Sequence, residues 1–286
     1  MKVLVTGHRG FIGTRLCKLL KKNKIDYDGF DLLEGFDIRN SLQLDKQFEA
    51  GQYDVVIHMA ALAGVRRGQV FPEEYISTNI LGTQNIIDMC ERYDVGRLIF
   101  FSSSSVLGGL ETGLGLDETY DLNPTSLYAV TKVTGEFLVN NSKLKSTIVR
   151  PFTVYGENGR PDMVIYKWIN QIKAGRPATV FGDGKSVRGY TYVGDLVQAI
   201  CDLLKKPYDG TIHLGGSEQI QLAEVFAEFL EHCKKKKIKA EVALLPMPEA
   251  DVKSSFANCT IARDHIGFEP EKRFIKILKK ILRKEL

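Results

Sequence analysis

The chain has 286 residues, 44% apolar and 26% charged, with a formal net charge of +4, enough length for a cofactor-binding domain plus a smaller lobe. Much of the positive excess lies in Lys234, Lys235, Lys236, Lys237 and Lys239 and in the tail 272–284; no aromatic residue interleaves that lysine run, so it reads as solvated helix ends and argues against nucleic acid or membrane as a partner. Five widely spaced cysteines without a CxxC pair argue against a disulfide framework or a metal site; with no secretion signal and no apolar stretch of the ~18 residues that span a membrane, a cytoplasmic protein is expected.

Short apolar, β-rich runs at 3–6, 27–31, 55–58, 98–101 and 147–150 alternate with amphipathic stretches at 12–20, 42–49, 73–91 and 128–140. Strands alternating with helices predict an α/β fold with a Rossmann-type, doubly wound parallel sheet and right-handed crossovers. Residues 1–150 are the expected dinucleotide-binding domain. Past about residue 150 the alternation weakens and turn-rich stretches appear at 156–161 and 182–184. Residues 151–286 are therefore expected to form a smaller α/β substrate lobe, interleaved with the sheet, parts of 151–215 supplying its last strands.

The first strand runs directly into Gly7-His8-Arg9-Gly10-Phe11-Ile12-Gly13 and then a helix. Glycines at such a turn let backbone N–H groups approach a pyrophosphate, and the helix N-terminus adds positive potential. The spacing is GxxGxxG, not GxGxxG; its place between strand and helix makes it a dinucleotide signal, with Gly7, Gly10, Phe11, Ile12 and Gly13 against the cofactor. Asp31 ends the second strand, where a carboxylate would hold the adenosine ribose hydroxyls and repel a 2′-phosphate, favouring NAD. Arg9 argues the other way, since a cation in the loop could reach that phosphate. Asp37 and Ile38 would flank the adenine.

Tyr128 and Lys132 form a YxxxK pair, which places both side chains on one helix face. A neighbouring ammonium stabilises a phenolate, so the pair can take a proton from a sugar hydroxyl while hydride leaves the adjacent carbon. The preceding strand ends in Ser102-Ser103-Ser104-Ser105, and one of these hydroxyls is expected to bind the reacting oxygen, the others capping turns.

With these pieces assembled, the chain resembles the extended short-chain dehydrogenase/reductase family, and within it the UDP-glucuronate 4-epimerases. The resemblance runs over nearly the whole chain. It is carried by the glycine loop, His58-Met59-Ala60-Ala61, Ala63-Gly64-Val65-Arg66, Ser102–Val106, Ser126–Lys132, Arg150-Pro151-Phe152-Thr153-Val154-Tyr155-Gly156 and, at subgroup level, Gly159-Arg160-Pro161-Asp162-Met163. The resemblance implies Ser103, Tyr128 and Lys132 as catalytic residues. It implies Ala60, Ala61, Tyr128, Lys132 and Pro151 beside the cofactor. Arg66, Ser103, Ser104, Thr153 and Arg160 would line the substrate pocket, and Arg188 would pair with a diphosphate. A homodimer packed through the helices near 73–91 and 128–140 is likewise implied. Three features depart from the family pattern: Leu107 replaces the usual tyrosine, the loop between Asp31 and Asp37 is short, and Met247–Val252 follows the pattern loosely.

Related dehydratases carry acidic residues just after the catalytic hydroxyl, and related decarboxylases a glutamate in that loop; here the positions are Ser104 and Ser105. The simplest remaining cycle is oxidation and re-reduction at C4 of a nucleotide-sugar, with a UDP-hexuronate as expected substrate and NAD as cofactor. An NADP-dependent 4-keto-sugar reductase and a UDP-glucose or UDP-N-acetylglucosamine 4-epimerase are the alternatives. A dinucleotide-sensing regulator and a nucleic-acid-binding relative stand further off.

Overall fold

The computed structural model describes residues 1–109, 115–247, 252–271 and 273–286. Lys272 of the basic tail and residues 248–251 of the loosely matching segment lie outside them. In chain order the first half contains β1 (Lys2–Thr6), α1 (Phe11–Lys22), β2 (Asp26–Phe30), α2 (Ser41–Gly51), β3 (Val55–His58), α3 (Val65–Val70), α4 (Pro72–Ile76), α5 (Gly82–Arg92), β4 (Arg97–Phe101), α6 (Leu127–Asn140) and β5 (Ser146–Pro151). There follow β6 (Val154–Tyr155), α7 (Val164–Lys173), β7 (Ala178–Phe181), β8 (Val187–Gly189), β9 (Thr191–Tyr192), α8 (Val193–Lys205), β10 (Gly210–Leu214), β11 (Gln219–Gln221), α9 (Leu222–Lys235), β12 (Val242–Leu245), β13 (Ser254–Ser255), α10 (Thr260–Ile266) and α11 (Phe274–Glu285).

Six parallel strands form the main sheet in the order β10-β5-β4-β3-β1-β2. Alternate side chains of each strand face opposite helix layers, which is why the strands read as unbroken apolar runs. Val3, Val5, Ile57, Ile99 and Val149 pack with Leu16 and Leu20 of α1 and Leu196 and Ile200 of α8. Leu4, Val56, Leu98, Phe100 and Ile148 pack on the other face with Phe48 of α2, Ile86 of α5 and Val139 of α6. Each such buried side chain contributes roughly 1.5–3 kcal/mol of transfer free energy. The α/β class expected from the alternation is the one observed. The second lobe has its own core, where Trp168 and Ile169 of α7 meet Phe229 of α9 and Phe274, Leu278 and Leu282 of α11.

The strand order reverses between β1 and β3, the switch point beside which ligands bind in open α/β sheets. Local chemistry fixes that corner. Thr6 Oγ1 lies 2.7 Å from His58 Nδ1 and accepts the Ala60 N–H at 3.2 Å.

The stretch expected as one helix at 73–91 is interrupted. It begins at Pro72, opens into a wide π-type turn over Ser77–Leu81, and resumes as α5. Buried Asn79 explains the break. It accepts the Leu62 N–H at 2.8 Å and donates to the Leu62 carbonyl at 3.0 Å and to Thr131 Oγ1 at 3.0 Å. The widened turn aims this amide at the loop after β3, a use of π-bulges that recurs at functional sites. Capping signals set other boundaries: Asn40 accepts the Leu42 and Gln43 N–H groups ahead of α2, and Ser126 accepts the Ala129 N–H ahead of α6.

Candidate active site

A cavity of about 890 Å³ opens at the carboxyl ends of the central strands and is roofed by the second lobe. One end is the glycine loop. Gly7 has φ +73°, and a Cβ there would come within 2.7 Å of the Ala60 nitrogen, so only glycine lets the loop cross β3 at this distance. A Cβ on Gly13 would overlap the Gly7 carbonyl oxygen and lie 2.7 Å from His8 Cα, so the first turn of α1 rests directly on the loop. Gly10 caps α1 with no side-chain hydrogen bond, leaving the first-turn N–H groups for an anionic guest. Gly7, Gly10, Phe11, Ile12 and Gly13 all line the cavity. These features fit a dinucleotide pyrophosphate.

Asp31 lies one residue beyond β2, whose expected span was 27–31. Its side chain accepts the Arg9 N–H at 2.9 Å and the Leu33 N–H at 2.9 Å, tying loop to strand end. Asp31, Asp37 and Ile38 all lie outside the cavity lining. The Asp37 carboxylate is held by the Arg39 guanidinium, whose hydrogen bonds draw its pKa down, and Ile38 is buried against Gly82 in the core. Ala61 and Pro151 line the cavity, whereas Ala60 lies behind Gly7.

At the middle of the cavity Ser103, Tyr128 and Lys132 converge from β4 and α6. Burial raises the Tyr128 pKa, while the nearby Ser103 hydroxyl and the charge of Arg160 pull it back. Ser103 Oγ also takes the Ser105 N–H at 3.1 Å, fixing the 3₁₀ turn that presents Ser104 to the cavity. Lys132 donates from Nζ to the Phe101 carbonyl at 2.8 Å. Burial pushes its pKa down to about 8, against the pull of Glu136 one turn along α6.

Glu136 is the hub of a polar network that sequence reading missed. Its carboxylate takes Arg150 Nε at 2.8 Å and Nη2 at 2.6 Å and accepts the Ser102 hydroxyl. Arg150 Nη1 approaches His213 Nε2 at 3.4 Å, and His213 Nδ1 lies 3.0 Å from the Leu116 carbonyl. Lys132 and Glu136 at i, i+4 were a visible signal; Arg150 and His213, on separate strands, were not. Leu107, in the family's tyrosine position, is buried with Val106, Leu116, Phe152 and Phe256, an apolar nest that suits a side chain without a hydroxyl.

The outer end carries Arg66, Arg160, Lys167 and Arg188. Arg160 makes a bidentate pair with Asp162, both bonds 2.9 Å. The Arg66 guanidinium lies 4.1 Å above the Phe181 ring, and Lys167 Nζ lies 4.6 Å from the same ring. Arg188 donates to the Val187 carbonyl at 2.9 Å and the Val252 carbonyl at 2.7 Å while reaching the lining. Thr153 is also in the wall. Phe181, Lys167 and Met247 were missed; for Phe181 the signal was a β-rich run ahead of the Gly182–Gly184 turn.

Residues 3–215 match the NAD dependent epimerase/dehydratase family, and the chain belongs to it. It is 34% identical to a UDP-glucuronate 4-epimerase of Thermodesulfobacterium geofontis, over 94% of this chain and 91% of the relative. Among solved structures, the UDP-glucose 4-epimerase of Thermus thermophilus in complex with NAD superposes with a TM-score of 0.90 at 26% identity, covering both chains fully. The UDP-glucuronic acid 4-epimerase of Bacillus cereus, in complex with UDP-glucuronic acid and NAD, gives 0.88 at 29% identity, again over the whole of both chains. No helix among the described residues is long and apolar enough to cross a membrane.

Proposed function

We propose that this chain is a 4-epimerase of nucleotide sugars acting on a UDP-hexuronate. The observation that carries the reading is that Ser103, Tyr128 and Lys132 share the wall of one cavity with the glycine cradle. NAD, held by Gly7, Gly10, Phe11, Ile12 and Gly13 with Asp31 at its ribose, supplies the hydride acceptor and then the hydride donor. Tyr128 takes the proton from O4, and Ser103 steadies that oxygen and keeps the phenol oriented. Lys132, locked to Phe101, places its positive charge on the same helix face and favours the phenolate. Serines at 104 and 105 leave the turn without the acid that elimination needs. Arg160, near enough to lower the Tyr128 pKa, provides a guanidinium for a C6 carboxylate, and Arg66 and Arg188 suit a diphosphate.

One observation favours a neutral hexose instead: Asp162 already engages Arg160 on two nitrogens. Incubation of the pure protein with UDP-glucuronate, UDP-glucose and UDP-N-acetylglucosamine separately, with C4 epimers resolved by NMR, decides between them. Inversion of the uronate supports the proposal; no inversion of the uronate, with stoichiometric NADPH loss when NADPH and a nucleotide 4-keto-sugar are supplied instead, identifies a reductase and overturns it. Ile76, Leu81, Val130 and Phe137 are exposed on α4, the π-type turn and α6, an apolar set that suits a homodimer. Light scattering tests this directly.

A further inference from the structure

Arg9 is the cation of the glycine loop, with a side chain 57% exposed and a backbone N–H bonded to Asp31. Its backbone is therefore one hydrogen bond from the carboxylate where this class of fold holds the adenosine ribose. A guanidinium so placed is suited to a phosphate ester on the ribose 2′-oxygen. The short loop after Asp31 changes that. It folds into a 3₁₀ turn, Leu32–Glu34, closed by Gly35 at φ 85°, and returns Glu34 over the glycine loop. Glu34 Oε1 lies 3.6 Å from Arg9 Nη1, and its Oε2 lies 3.2 Å from His8 Nε2. The His8 ring is itself pinned: it packs where a Cβ on Gly29 would be, and its Nδ1 is buried with no hydrogen-bond partner among the described residues. Glu34 thus has a fixed anchor on one side and the exposed arginine on the other.

We propose that Glu34 is a specificity residue that keeps the site selective for a dinucleotide with a free ribose 2′-hydroxyl. Its carboxylate neutralises Arg9 and sets a second negative charge beside Asp31, so a 2′-phosphate meets two carboxylates and no available cation. The inference concerns dinucleotide binding alone, and its test contains no sugar; failure of the epimerase reading would leave it standing.

Equilibrium affinities for NADH and NADPH, followed by nicotinamide fluorescence on the full chain freed of co-purifying dinucleotide, provide the test. Glu34→Gln keeps an oxygen for His8 and removes the charge from an exposed turn; an unchanged thermal midpoint verifies folding. The variant should bind NADPH about tenfold more tightly than the natural chain, the effect of one partly screened charge, with NADH affinity held within about twofold. Adding Arg9→Ala should cut that gain to the part owed to the lost repulsion. NADPH affinity that stays within about twofold of the natural chain, a gain undiminished by the loss of Arg9, or a parallel fall in both affinities would each overturn the proposal.

Discussion

Replacing Glu136 by glutamine isolates what the buried network contributes. The substitution is nearly isosteric, so packing around α6 is unchanged, but it strips the counter-charge from Arg150, a guanidinium buried on β5 and held by two bonds of 2.6 and 2.8 Å. Removing one partner of a buried pair costs roughly 3–5 kcal/mol, because the surviving ion keeps its desolvation penalty without its compensation. The same change withdraws the charge that opposes the lowering of the Lys132 pKa, so the ammonium is lost at a lower pH than the present value of about 8. Urea unfolding reads the first effect, and the alkaline limb of the pH–rate profile reads the second. In a double-mutant cycle, Glu136→Leu with Arg150→Met should recover much of the stability, since an apolar pair needs no counter-ion. A loss below about 1 kcal/mol for Glu136→Gln, with an unmoved alkaline limb, would refute the idea that the carboxylate serves both cations.

Tyr128→Phe should lower kcat by roughly 10²–10⁴-fold, the range for loss of a general base, while NADH affinity changes little; near-normal turnover would remove Tyr128 from the chemistry. Gly13→Ala should abolish measurable dinucleotide binding, because its Cβ would strike the Gly7 carbonyl and His8 backbone, whereas Gly10→Ala, whose Cβ meets only the Gly7 oxygen at 3.2 Å, should be milder. Calorimetric titration with NADH ranks the two, and equal affinities would contradict the packing. Burial pushes His58 down to about 3 and His213 down to about 4, so both are neutral in the folded chain where the unfolded chain is protonated. Unfolding then takes up protons as pH falls below about 6.5, and stability should drop toward pH 4 by an amount on the order of 3 kcal/mol for each. Urea midpoints across that range, flattened in a His213→Asn variant, would bear this out; a flat profile in the natural chain would not.

The sheet was legible because parallel strands buried on both faces leave continuous apolar runs, as at 55–58, and because Gly7 and Gly13 punctuate the first crossover. What stayed hidden depends on contacts distant in sequence. The last strands were expected from 151–215, but the place of the sixth, β10, was not pinned, since its His213 is acceptable in the sheet only because Arg150 and the Leu116 carbonyl meet it there. The wide turn at Asn79 could not be read from periodicity, since the partner that makes it favourable, the Leu62 backbone, lies outside the helix in the loop after β3. The burial of the Ile38 side chain was not legible either, because hydropathy does not say which side of a turn faces the core. Glu34 escaped notice for a related reason: its carboxylate gains meaning only once the 3₁₀ turn returns it to His8 and Arg9.

The two ends of the cavity are built differently, and that difference bears on how reaction type and substrate are encoded. Ser103, Tyr128 and Lys132 stand on β4 and α6, elements fastened to β5 and β10 through the Ser102–Glu136–Arg150–His213 chain of buried hydrogen bonds. A displacement there would break several bonds at once, so the placing of Tyr128 and Lys132 is held by redundancy. At the outer end, Arg66 and Lys167 flank Phe181 from α3 and α7, and Phe181 is supplied by a strand whose sheet has one other member, β12. That wall draws on α3 of the first half as well as on α7, β7 and β8. On the proposed function, a change of sugar or base falls to substitutions on α3, α7, β7 and β8 and leaves the network beneath Tyr128 untouched, whereas a change of reaction passes through the serine turn, where an acid at 104 or 105 would stand beside Ser103.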